Sequence, residues 1–146
     1  MAAITSFDHV GITVDDLELV IDFFVGLGLE LEGRTTLEGD FVDTVIGITG
    51  AKAKIAMLRP PGGGTGLELS QFINPEAVPG APDATANVLG LRSMVFQVDD
   101  LPAMVDKLAA EGYQMVGGLG EYEGIWRMAY IRGPEGLLVP LAERIG

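Results

Sequence analysis

The chain carries one histidine and no cysteine among its 146 residues, so a cysteine nucleophile and thiolate metal sites are excluded and any histidine chemistry rests on His9. An imidazole changes charge near neutral pH and can serve as general base, hydrogen-bond donor or metal ligand. A Ser-His-Asp triad or a multi-histidine metal cage could be built only on that residue. Its plain alternative is a buried, hydrogen-bonded ring. Glu68 stands between Leu67 and Leu69. In a strand it points away from both, and a carboxylate on that face must be paired, solvated or functional. A further cluster, Glu121-Tyr122-Glu123-Gly124-Ile125-Trp126-Arg127, combines carboxylates, aromatics and an arginine around a glycine. Tyr122 and Trp126 could stack on a planar ligand with Arg127 as counter-charge; a solvated hairpin tip is the plainer account. Met57, Gln71, Phe72 and Met128 are candidates to line the same cavity, although Met and Phe serve equally well as core.

A repeat supplies the elements that position these groups. His9-Val10-Gly11-Ile12-Thr13-Val14-Asp15-Asp16-Leu17 reads like Ser93-Met94-Val95-Phe96-Gln97-Val98-Asp99-Asp100-Leu101, 84 residues further on. The same offset carries Asp22 onto Asp106 and Gly28 onto Gly112. Each stretch opens with an apolar run suited to a strand and meets an Asp-Asp pair able to cap a helix. Apolar residues at helical spacing follow: Leu17, Val20, Ile21, Phe24 and Val25 in the first copy, Leu101, Met104, Val105 and Leu108 in the second. Gly28 and Gly112 are placed to end those helices. Three strand-like runs come next in each copy: Leu29 to Leu37, Ala51 to Arg59 and Gly66 to Ile73, then Tyr113 to Leu119, Ile125 to Arg132 and Leu137 to Ala142. The turns Pro60-Pro61-Gly62-Gly63-Gly64-Thr65 and Gly133-Pro134-Glu135-Gly136 separate the last two runs.

Each copy therefore reads βαβββ, and the sequence predicts an α+β fold of two tandem modules in a single domain spanning 1–146. Module 1 occupies about 1–74, a proline-containing connector about 75–89, and module 2 about 90–146. Residues 39–48 are ambiguous, with a short helix as one option. Arg59 and Arg132 flank equivalent turns, which suggests a structural job.

At this length roughly 70% of the unfolded surface can be buried without disulfides or metal staples. The N-terminal MAAITSFDHV lacks the basic and long apolar regions of a signal peptide or membrane span, so a cytoplasmic location and no membrane partner are expected. Nine basic residues against 21 acidic ones give a net charge of -12, which would repel a phosphate backbone and argues against nucleic acid.

Phe7-Asp8-His9-Val10-Gly11-Ile12-Thr13-Val14-Asp15-Asp16-Leu17, Leu67-Glu68-Leu69 after a glycine-rich turn, and Arg132-Gly133-Pro134-Glu135-Gly136 before a final strand together resemble the vicinal-oxygen-chelate superfamily. That superfamily comprises the glyoxalase, bleomycin-resistance and ring-cleaving dioxygenase proteins, and the resemblance covers essentially the whole chain. It implies two modules curled into a cupped, mostly antiparallel sheet, and a homodimer. It also implies a divalent metal held by a His from the first strand and a Glu from the last strand of each module, acting as a Lewis acid on a chelating substrate. His9 and Glu68 match the first pair; Ser93 and Pro140 occupy the positions of the second.

A serine hydroxyl is a poor ligand for a transition metal and proline has no side-chain donor, so two protein donors remain where catalytic sites use three. Exchange of modules between identical subunits cannot restore them. No cofactor is therefore expected, a divalent ion being the one candidate. The reading is a metal-independent small-molecule binder or sequestering protein, with Met57, Gln71, Ser93, Tyr122, Trp126, Arg127 and Met128 contacting the ligand. The alternative is a lyase, isomerase or epimerase, or dioxygenase-type enzyme in which His9 and Glu68 act as acid and base or as partial metal ligands. A metal enzyme would need replacement donors from Glu121, Glu123 or Glu143; a dimerising scaffold without a cavity is the structural alternative.

Overall fold

The computed structural model describes residues 2–146. The chain divides into two compact units, one up to Pro79 and one from Gly80 to Gly146. The first contains β1 (His9–Thr13), α1 (Leu17–Leu27), β2 (Glu30–Glu38), α2 (Asp40–Ile46), β3 (Lys52–Arg59) and β4 (Gly66–Asn74). The second contains β5 (Phe96–Gln97), α3 (Leu101–Ala110), β6 (Gly120–Tyr122), β7 (Trp126–Arg132) and β8 (Leu138–Arg144). Each unit is a four-stranded mixed sheet of the same topology, β1-β4-β3-β2 and β5-β8-β7-β6. In both, the first strand runs parallel to the last and the remaining neighbours are antiparallel. The α+β class and the doubled βαβββ order expected from the repeat are what the chain adopts, and the ambiguous 39–48 stretch forms α2.

Asp16 and Asp100 cap α1 and α3, their side chains accepting from the amides of Leu19 and Ala103 at 3.1 and 3.0 Å. Gly28 ends α1 at φ 115, a left-handed conformation open to glycine. Leu17, Val20, Ile21 and Phe24 of α1 are buried, as are Ala56, Leu58, Leu67 and Leu69, the inward positions of the sheet it packs on. In the second unit Leu101 and Leu108 of α3 and Ala129, Ile131, Val139 and Leu141 are buried in the same way.

Two stretches of the second copy depart from expectation. Tyr113 to Leu119 is not a continuous strand: Met115 makes a single bridge to Ile131, and only Gly120–Tyr122 pairs regularly with β7. Gly117 and Gly118 stand between those contacts, and glycine weakens a strand by its entropy and lack of packing. The first strand is also shorter, with β5 spanning two residues where β1 spans five.

Pro140 supplies the reason. In the first unit the Gly66 amide donates to the Asp8 carbonyl and the Ser70 carbonyl accepts from the Val14 amide, so alternate residues 66, 68 and 70 turn their backbone toward β1. The equivalent Ala142 carbonyl accepts from the Val98 amide. Pro140, two residues before it, must therefore face β5 with no N–H to give. Pairing survives only at Phe96↔Leu141 and Gln97↔Ala142. The proline expected at an edge or an interruption sits in an interior strand beside an interrupted ladder, and Ser93 lies outside any strand.

Both last strands also reach the helix that crosses their sheet. The Gln71 Oε1 accepts from the Leu17 amide at 3.0 Å, and the Glu143 Oε1 accepts from the Leu101 amide at 2.8 Å, filling one of the orphan donors at each helix start. Arg59 and Arg132 each donate to a carbonyl of the following turn, Gly64 at 2.8 Å and Gly136 at 3.0 Å, the structural job their symmetry suggested. Gln71→Leu and Glu143→Leu should each lower stability by about 1–3 kcal/mol in urea denaturation, since each strands a part-buried amide. Glu143→Leu should cost more, because its carboxylate also favours the positive helix end.

Candidate functional site

The strand pleat sorts the side chains of β4 into two sets. Leu67, Leu69 and Gln71 face α1, and Glu68, Ser70 and Phe72 face the other way. His9, at the start of β1, shares the second face. Its register partner is Gly66, and that of Glu68 is Gly11. With glycine opposite each of them, the two functional side chains meet diagonally, His9 Nε2 lying 3.6 Å from Glu68 Oε2. Both are partly open to solvent, at 37% and 27% side-chain exposure.

Asp8 completes the group. Its Oδ2 is 2.7 Å from His9 Nδ1, and this hydrogen bond is the first cause holding the Asp8 carboxyl below the usual carboxylate range. On the far side, Ser70 Oγ is 3.5 Å from Glu68 Oε1. Register carries the row through Glu68 across the whole sheet: Gly11, Glu68, Met57 and Gly33 are successive partners. A side chain at Gly11 or Gly33 would meet nothing within 4 Å. Glu68 and Met57 therefore stand between two gaps.

The equivalent face of the second unit is apolar and aromatic. Trp126, Met128 and Tyr130 alternate along it, paired with Arg144, Ala142 and Pro140. Tyr122 is opposite Trp126 and 64% exposed, and the Arg144 guanidinium lies 5.8 Å from the Trp126 ring centroid. Arg127 stands on the other face with Ala129 and Ile131, its Nε 3.1 Å from Glu121 and its Nη1 3.9 Å from Glu143. The strand thus cannot present Arg127 with Trp126 and Met128 as one contact surface, and the counter-charge role gives way to an internal ion pair. Gln71, expected to line a cavity, is turned to the α1 amide. Ser93 is an exposed residue of the connecting segment.

Asp8, Gly11, Gly33 and Tyr130 were not singled out from the sequence. Tyr130 was within reach, because it continues the Trp126–Met128 alternation.

His9 and Glu68 converge, but Asp8 is engaged by the opposite ring nitrogen, and Glu121 and Glu143 serve Arg127 and the α3 amide. Among the described residues no three His, Asp or Glu side chains are grouped to hold an ion.

The sequence profile of the Glyoxalase/Bleomycin resistance protein/Dioxygenase superfamily matches residues 6–141. A glyoxalase family protein from Bacillus cereus is 38% identical, with 99% of this chain and 97% of that one covered at a TM-score of 0.95. TnmS3, an antibiotic binding protein from a Streptomyces species, is 21% identical over 99% of both chains at 0.61. The genomically encoded fosfomycin resistance protein FosX of Listeria monocytogenes is 16% identical over 99% of this chain and 93% of its own at 0.65. These two share the fold alone. Curated proteins give no match. No helix is long and apolar enough to cross a membrane among the described residues. The doubled βαβββ topology, the profile match over nearly the full length and the 38% identical relative place this chain in the glyoxalase/bleomycin resistance protein/dioxygenase superfamily.

Proposed function

We propose that this chain is a metal-independent small-molecule-binding protein whose polar anchor is the His9–Glu68 pair on the open face of its first sheet. The observation that carries the reading is the Gly11–Glu68–Met57–Gly33 row, which flanks a carboxylate and a thioether with open space. A carboxylate beside an imidazole fixes a polar group of the ligand, while Met57 adapts to its apolar part. An antibiotic binding protein of the same fold gives a precedent for holding a small molecule. The exposed Tyr122 and the Trp126 ring offer a second, stacking surface. A cytoplasmic homodimer is the proposed form, checked by light scattering.

A second reading, an acid–base lyase or isomerase, is favoured by one feature: the Asp8 contact orients the imidazole beside Glu68. The two readings part on Glu68→Gln: turnover abolished by that variant supports the enzyme, whereas binding without turnover in the wild type supports the binder.

Protein purified without an affinity tag should contain no stoichiometric manganese, iron, nickel or zinc by elemental mass spectrometry, before or after incubation with those ions. A chelator-resistant ion at one per chain would overturn the metal-free reading. Compounds that raise the wild-type melting temperature should bind Glu68→Gln about ten- to a hundred-fold more weakly, the range for losing a hydrogen bond to a charged group. Gly11→Val places a branched side chain in the gap beside Glu68 and suits a strand; it should abolish binding of those compounds while leaving the unfolding midpoint close to wild type.

A further inference from the structure

We infer that Asp8 is a positioning residue: it holds His9 in the tautomer protonated on Nδ1, so that Nε2 and Glu68 form a two-acceptor site that takes a ligand through the ligand's own N–H or O–H donor. This rests on the reading of His9 and Glu68 as the polar anchor. A neutral imidazole has one N–H and one lone pair, and the partner of one nitrogen decides the state of the other. Asp8 Oδ2 lies at 2.7 Å from Nδ1, a hydrogen-bond distance, whereas Glu68 Oε2 lies at 3.6 Å from Nε2, beyond one. The ring proton therefore goes to the Asp8 side.

Two acceptors then face each other across a gap that a single donor atom can bridge. Gly11, directly opposite Glu68 with nothing within 4 Å of a would-be side chain, leaves that donor a way in. An ammonium or amidinium group, which carries at least two N–H donors, satisfies both acceptors at once. A carboxylate or phosphate would meet two acceptors at Nε2 and Glu68, so this pair discriminates against anions.

His9 is the only histidine of the chain, so nitrogen NMR of the imidazole reads one ring without assignment. At a pH where the ring is neutral, the wild type should show protonated Nδ1 and bare Nε2. Asp8→Ala should revert to the Nε2–H tautomer that free side chains prefer. Asp8→Asn, which keeps an acceptor oxygen, should retain Nδ1–H, and Glu68→Gln should leave the tautomer unchanged. The Asp8 side chain is 76% exposed, so these variants should keep the wild-type amide spectrum. A wild type protonated on Nε2, or an Asp8→Ala tautomer like the wild type, overturns the positioning role. Titration with benzylamine should move the Nε2 resonance and benzoate should not; a benzoate response, or none from either probe, overturns the donor assignment. The tautomer readout needs no ligand, so its failure is separate from a failure of the binding reading.

Discussion

The parallel pairing between the first and last strand of each unit is the constraint on which the rest depends. Parallel ladders spend every second backbone unit of a strand on one neighbour, and in the first unit residues 66, 68 and 70 face β1. That pairing brings His9 and Glu68 onto one face within 3.6 Å. In the second unit a single missing N–H at Pro140 shortens the ladder to two residue pairs and leaves Ser93 off the sheet. Where the first unit has Glu68, Pro140 thus offers neither a carboxylate nor the N–H that would hold the first-strand position in register.

The opposite faces of the same strands do a different job, and there the two units have stayed alike. Gln71 and Glu143 both accept from the first amide of the helix above them, and Leu67, Leu69, Val139 and Leu141 are all buried. Packing against the helix tolerates little change in volume or polarity, whereas the faces turned away from it carry different side chains in the two units. The divergence of the two halves follows that division, polar around His9 in one and aromatic around Trp126 and Tyr130 in the other.

Much of this was legible in the sequence because it depends on local chemistry. The aspartate pairs announce both helix starts, and the 84-residue repeat offset carries the topology and points to His9. Register is a different matter. That Gly11, Glu68, Met57 and Gly33 form one row depends on how four strands align, which residue spacing within any one of them cannot supply. The Asp8 contact was hidden for another reason: neighbours within a strand point to opposite faces, and Asp8 can reach back to His9 because β1 begins only at His9. Arg127 and Gln71 were misplaced by weighing residue type over alternation. Parity with Ile131 and with Leu69 already assigned each to its helix face.

The double duty of β4 also limits how such a protein can change. Glu68 and Gln71 lie three residues apart and so on opposite faces, one at the site and one at the helix start. Inserting or deleting a single residue between them would break that opposition, and with it either the helix cap or the anchor. Point replacement carries no such penalty, since each position answers to its own face. Side chains along β4 can therefore be exchanged on one face without disturbing the other, whereas a change of length inside the strand disturbs both.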